Sequence, residues 1–334
     1  MPVLQSNVAT LIDVANRLDP DGKIATIVEM LKQTNEMLED MPFIEGNLPT
    51  GHRTTVRTGL PPVAWRLLNG GVAPGKSTTA QIDEQCGMLE AYSEVDKVLA
   101  RLNGNEAAFR LSEAVSFIEA MSQEMQATAI YGSAATPEKF VGLAPRYSTL
   151  TATVPISQNV ISAGTVTGGD ATSIWLVVWG PNTIHGIYPK GSKAGIEHQD
   201  LGEVTVENAN GIGGARMQAY RDHWKWDCGI AVRDWRYAVR ICNIDVSNLT
   251  TEAGAADLIK LMIRAIHRIP ALGMGKPVFY MNRTVFQMLD IQSQNKAQYM
   301  LQSGNDAAGK PMLSFRGIPI RRVDQILNTE ATVV

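Results

Sequence analysis

GHRTTVRTGLPPVAWRLLNGGVAPGKSTTAQI, residues 51–82, decides how the rest of the chain is read. From Gly46 to Ile82 there is no Asp or Glu, while Arg53, Arg57, Arg66 and Lys76 give this stretch a charge of +4. Turn signals stand at Leu60-Pro61-Pro62 and Asn69-Gly70-Gly71, and short alternating segments such as Thr54-Thr55-Val56-Arg57 flank them. The carboxylates return together at Asp83, Glu84, Glu90, Glu94 and Asp96. The pattern predicts a long two-stranded excursion from Gly51 to about Val95, turning near Asn69 to Lys76. A lone ribbon of two strands is marginal in water because it buries too little surface. It is therefore expected to lie on another surface, its own domain or a neighbour.

The residues before the hairpin are acidic. Eight acids against Arg17, Lys23 and Lys32 leave Met1–Glu45 at −5. Leu11, Ile12, Ala15 and Leu18 form a helical stripe broken at Asp19-Pro20-Asp21-Gly22. A second stripe follows through Ile24, Ile27, Val28 and Leu31. Beyond the hairpin comes the strongest helical pattern in the chain. Leu111, Ala114, Val115, Ile118, Met121, Met125 and Ala129 repeat at three and four residues, with Asn105 as the N-cap and Gly132 as a left-handed C-cap. Such a helix is a rod of roughly 39 Å.

From Phe140 onward the reading is mostly strand. Ser173–Trp179 reads as buried, and Tyr220 to Ile241 as a long antiparallel pair with Arg236 and Arg240 on a wet face. A second helix is expected from about Glu252 to Arg268, then strands at Val278–Met281 and Gly317–Ile320. The fold class is α+β, with an N-terminal portion of about 95 residues that has little core of its own.

Bulk properties exclude several classes. The 334 residues are 45% hydrophobic and 19% charged, with net charge −3, which suits a globular chain and gives no global reason for nucleic-acid or membrane binding. The apolar runs are far too short to span a bilayer, and no signal-peptide pattern is expected at the N-terminus. Cys86, Cys228 and Cys242 are widely spaced, without a CxxC pair, and are read as reduced thiols.

One sharp motif competes with the hairpin. Gly70-Gly71-Val72-Ala73-Pro74-Gly75-Lys76-Ser77 matches the phosphate-binding pattern GxxxxGK[ST], so a P-loop nucleotide-binding protein is the alternative reading. Pro74 has no N–H to offer a phosphate, Ser77–Ile82 has poor helix propensity, and no Walker-B strand is evident. A Gly-rich loop tip is preferred. Gly211-Ile212-Gly213-Gly214-Ala215 is read as a flexible loop, the five histidines as scattered, and the Trp and Tyr residues at 224–237 as core rather than a base-stacking platform. No catalytic residue, metal site or cofactor is expected.

The order of parts then resembles a known family, the major capsid proteins of tailed bacteriophages with the Hong Kong 97-type fold, in a branch found in short-tailed phages. Local wording that is similar includes Leu60–Gly71 and Pro137–Tyr147. It continues in Val232-Arg233-Asp234-Trp235-Arg236-Tyr237 and Phe315–Arg322. The resemblance implies an N-arm (1–50), an E-loop (51–97), a P-domain (98–140 and 205–247, with a spine helix at about 105–131) and an A-domain with remaining sheet (141–204 and 248–330). It implies a structural protein, not an enzyme, that self-assembles as hexamers and pentamers into an icosahedral shell around phage DNA. Neighbours are expected to interlock through N-arm and E-loop. The partners expected are further copies of itself, a separate scaffolding protein, a portal, non-specifically held double-stranded DNA and room for a cement protein, all in the virion after assembly in the host cytoplasm. No scaffolding extension is expected within the chain, hence the separate scaffolding protein. The expected inter-subunit contacts are Arg53, Arg57, Trp65, Arg66, Asn69, Lys76, Glu90 and Glu94, the basic hairpin of one copy meeting acids of another.

Overall fold

A computed structural model describes residues 36–102, 106–166, 168–207, 214–252, 254–294, 301–305 and 311–334. The helical stripes expected from Leu11 to Leu31, the Asn105 cap and Gly211–Gly213 lie outside the described residues. The chain forms two packing units, one holding Met88–Gln126 and Gly195–Asp227, the other holding 36–87, Ala127–Ala194 and Cys228–Val334.

The first unit sets a helix on a small sheet. Strand β4 (Gly87–Asp96) and strand β8 (Glu197–Glu207) each pair with β9 (Arg216–Val232), β8 antiparallel from Glu197↔Lys225 to Glu207↔Arg216. Asp96 caps the short helix α2 (Lys97–Ala100) by accepting from the Val98 N–H. Helix α3 runs Glu106–Tyr131, 26 residues, as its apolar period predicts. Phe117 stacks on Trp224 at 5.0 Å, and Val95, Ala100, Phe109 and Tyr220 form a further buried cluster. Trp224 and Trp226 are thus core, as expected. Arg110 binds Asp222 at 2.8 Å and Asp200 at 2.7 Å, so the part-buried Asp222 has its charge compensated.

The second unit is a larger mixed sheet. Strand β6 (Ala171–Trp179) is buried along its whole length between β10 (Ala238–Asp245) and β11 (Lys276–Met281), both antiparallel to it. Parallel pairing adds β5 (Val160–Ser162) to β10 and β14 (Ile318–Arg322) to β11, and β12 (Leu301–Asn305) and β13 (Pro311–Phe315) complete that edge. Strand β7 (Ile184–Tyr188) pairs antiparallel with the end of β9. Helices α6 (Leu258–Arg268) and α7 (Arg283–Gln294) pack Leu258, Met262, Ala265, Val285 and Leu289 on the Ile174, Leu176, Val239 and Phe279 side of the sheet.

Three expectations about the strands and the second helix are corrected. The stretch Tyr220–Ile241 is not a hairpin. Asp234 accepts from the Arg236 N–H and winds Trp235–Tyr237 into a 3₁₀ turn, which sends β10 to β6 instead of back along β9. Arg240 is not on a wet face; it is buried in an ion pair with Glu330 at 2.9 Å. The second helix starts at Leu258, where Asp257 accepts from Lys260 N–H. Helix α5 (Val246–Thr251) precedes it and ends with Glu252 in the left-handed region at φ 59°.

Gly132 ends α3 without a left-handed turn. Its N–H donates to the Thr128 carbonyl at 2.8 Å, and its carbonyl accepts from the Gly142 N–H at 2.8 Å. A Cβ there would lie 2.2 Å from the Phe140 carbonyl oxygen and 2.6 Å from that of Thr128, both backbone atoms that cannot swing away. Gly132→Ala is therefore expected to cost about 1–3 kcal/mol, read as a lower urea midpoint with unchanged slope.

The expectation that everything before α3 lacks a core also needs revision. Helix α1 (Glu36–Asp40) buries Met37, and Asp40 binds Lys276 at 2.6 Å and the Tyr280 hydroxyl at 3.0 Å. Strand β1 (Phe43–Glu45) pairs parallel with β7. Residues 36–45 are seated on their own unit because a buried carboxylate needs the donors found there.

Candidate assembly surfaces

Strands β2 (Gly51–Gly59) and β3 (Thr78–Gln85) form a separate two-stranded sheet, paired from Gly51↔Gln85 to Gly59↔Thr78. The hairpin ends at Gln85, ten residues before the expected Val95. There the Cys86 N–H donates to the Thr50 carbonyl at 3.0 Å, and β4 leaves to join β9. The local reason is close backbone passage. A Cβ on Gly229 would sit 2.5 Å from the Gln85 carbonyl oxygen, and one on Gly51 would sit 2.0 Å from that of Glu84.

Between the strands, residues 60–76 carry no regular secondary structure, and every one of them is exposed. Asn69 sits at φ 65°, a conformation Asn tolerates better than most, and the Gly70 N–H closes the turn on the Leu67 carbonyl at 3.0 Å. Asn69 therefore acts as the turn residue of the tip. Around it Leu60, Val63, Trp65, Leu67 and Leu68 point into water, Trp65 with 104% relative exposure. Isolated exposed apolar residues are ordinary, but a contiguous set of this size marks an interaction surface. The GxxxxGKS stretch lies within this tip and leads into β3, with no helix N-terminus to receive a phosphate.

The charged candidates divide into two groups. Arg53 is directly opposite Asp83 and binds it through both guanidinium edges, Nε–Oδ1 at 2.6 Å and Nη2–Oδ2 at 2.7 Å. That fork raises the Arg53 pKa and holds the Asp83 carboxyl below its usual range. Glu94 binds Arg221 at 2.5 Å, and Glu90 lies 3.2 Å from His223, whose ring stacks on Tyr92. These three candidates have partners inside their own chain. Arg57, Arg66 and Lys76 are exposed and make no ion pair among the described residues.

A second apolar surface lies on the helix that the sequence marked by its three-and-four repeat. Leu111, Val115 and Ile118 follow one another at four and three residues on α3, yet their relative exposures are 67%, 42% and 43%. Ala107 and Ala108 beside them are exposed as well. The buried contacts of the helix come from Phe109 and, further along, from Met121 and Met125. The periodicity signalled the stripe; what it could not show is whether the stripe faces the same chain or another one.

Among the described residues there is no cluster of His, Cys, Asp or Glu that could hold a metal ion, and no helix is long and apolar enough to cross a membrane. His198 lies 3.0 Å from Asp222, while Asp200 binds Arg110.

Comparison with known proteins decides the family. The family described as Major capsid protein GP7 matches residues 19–334. The chain belongs to that family. The capsid subunit is also similar to a chain in the cryo-EM structure of bacteriophage Epsilon15, at 36% identity and TM-score 0.80, covering 100% of this chain and 99% of that one. A capsid chain of the native GTA particle is 10% identical at TM-score 0.47, covering 72% of this chain and 99% of that one. An encapsulin from Synechococcus elongatus is 12% identical at TM-score 0.43, covering 71% and 97%. No curated protein matches. The capsid subunit is a structural protein of the virion shell that assembles with further copies, and its α+β fold is that of phage capsid chains.

Proposed function

We propose that neighbouring subunits interlock by laying the hairpin tip of one copy, residues 60–76, on the exposed face of α3 in the next. What supports this reading is that one chain carries two separate exposed apolar surfaces, the tip around Trp65 and the stripe Leu111, Val115 and Ile118. Two different patches that fit one another make a heterologous contact, and such contacts close into rings when the rotation permits. Hexamers and pentamers are rings of that kind. Arg57, Arg66 and Lys76 border the tip and supply register and on-rate, while apolar burial holds the contact. Arg53, Glu90 and Glu94 support the two surfaces from within their own chain.

In this reading residues 1–50 act as an N-arm and the hairpin as the E-loop. The regions around α3 (98–140 and 205–247) form a P-domain, and 141–204 with 248–330 an A-domain. A scaffolding protein, a portal, packaged double-stranded DNA and room for a cement protein complete the proposed partners, with assembly in the host cytoplasm and no catalytic activity. Negative-stain electron microscopy of the purified full chain, alone and co-expressed with candidate scaffolding protein, tests it. Closed shells or capsomer rings are expected; a chain that remains monomeric under all conditions contradicts the proposal.

A further inference from the structure

The hairpin is joined to its unit through a pair of histidines. His52 on β2 and His185 on β7 meet edge to face, with ring centroids 5.9 Å apart and planes at 76°. The Nδ1 atom of each ring is buried and has no hydrogen-bond partner among the described residues. His185 itself is almost wholly buried. The charged groups around the pair are few. Glu84, directly across β3 from His52, is held by Arg146 of helix α4 (Leu143–Arg146) through two bonds of 2.6 Å. Arg233, in the turn after β9, is anchored to the Pro181 carbonyl at 2.8 Å.

We propose that this pair is an acid-sensitive latch at the root of the hairpin, closed while both rings are neutral and released when either is protonated. In the neutral ring an unpartnered Nδ1 is a lone pair, tolerated in a packed site. Protonation turns it into an N–H that needs an acceptor. Among the described residues Glu84 is the carboxylate opposite, and both of its oxygens already bind Arg146. A cation here also faces the second ring and Arg233. The root must then open to water, or Glu84 must leave Arg146; either loosens the contact between β2 and β7.

The direction with pH follows from the burial. Desolvation, then the neighbouring His52, then Arg233 push the His185 pKa down to about 4; desolvation and Arg233 lower His52, against the pull of Glu84. A histidine with a lowered folded-state pKa binds fewer protons folded than unfolded. Its contribution is complete above about pH 6.5, the unfolded value, and is lost as pH falls toward the folded one. The latch therefore holds at neutral pH and weakens across the acid range. It frees the angle of the hairpin without unfolding the sheet of the second unit.

The test is amide hydrogen exchange on the unassembled full chain, with protection factors corrected for intrinsic rates, so it does not depend on where the tip docks. Protection of the root amides, residues 50–54 and 184–187, is expected to fall by about tenfold or more from about pH 7 to 4.5, while the centre of β6 changes by less than about twofold. His52→Gln with His185→Gln keeps neutral hydrogen-bonding side chains and should remove most of that fall. His52→Gln alone, at the less buried member of the pair, should reduce it measurably even if the double variant does not fold. Root protection that is flat with pH overturns the latch. So does a fall of the same size in wild type and His52→Gln.

Discussion

Trp65→Asp combined with Leu68→Asp is expected to abolish shell formation while leaving the chain folded. Both side chains stand in water in the single chain, so neither contributes to its core. Exposed substitutions of this kind change stability by about 0.5 kcal/mol or less. In a docked tip the arithmetic is different. An aromatic residue buries about 150–250 Å², which at roughly 25 cal/mol per Å² is about 4–6 kcal/mol per contact. Two carboxylates placed in that apolar contact add a desolvation cost. Because the contact is repeated by every copy, its loss removes closed particles altogether. Sedimentation and electron microscopy should show no particles, with a thermal midpoint within about 2 °C of wild type. Normal particles from this variant contradict the assignment of the tip. A misfolded variant is recognised by its melt, and Trp65→Ala then serves in its place.

The second large effect lies in the core. Arg240→Ala is expected to destabilise the second unit by about 3–5 kcal/mol, the usual result of leaving one member of a buried ion pair alone. Arg240 binds Glu330 at 2.9 Å, the Ser173 hydroxyl at 3.1 Å and the Tyr147 carbonyl at 3.0 Å, and its guanidinium lies 5.2 Å from the Trp175 ring centroid. Glu330 also accepts from the Ser173 and Tyr131 hydroxyls. Nearby, the Asn243 side chain both donates to the Val333 carbonyl and accepts its N–H, each at 2.8 Å. The pair thus clasps the end of the chain to the middle of the sheet. Urea denaturation should show the loss in full for Arg240→Ala. Arg240→Met with Glu330→Met should recover most of it, because the penalty comes from the uncompensated charge. Equal losses in the single and double variants contradict the account.

These sites differ in how far the sequence revealed them. The hairpin and α3 were legible because their signals are local. The acid-free run with its Pro and Gly turns needs no distant partner to be recognised, and neither does a three-and-four apolar repeat. Arg240 was misread because alternation along β10 gives a face, not what covers it. Its partner Glu330 is 90 residues away. Gly132 was assigned a left-handed cap by residue type, whereas its requirement comes from the Phe140 carbonyl passing beside it. The stripe on α3 marks the limit most clearly. Leu111 and Met125 obey the same periodicity, yet Met125 meets its own unit while Leu111 faces water. Likewise His52 and His185, 133 positions apart, share no motif; only the seating of β2 on β7 brings them together.

A side-chain-resolution reconstruction of particles assembled from the full-length chain addresses the interlocking directly. The account predicts density for residues 60–76 of each copy lying along α3 of an adjacent copy, with the Trp65 ring against Leu111, Val115 or Ile118. Tips folded back on their own copy, or seated against a neighbour with α3 left bare, contradict it.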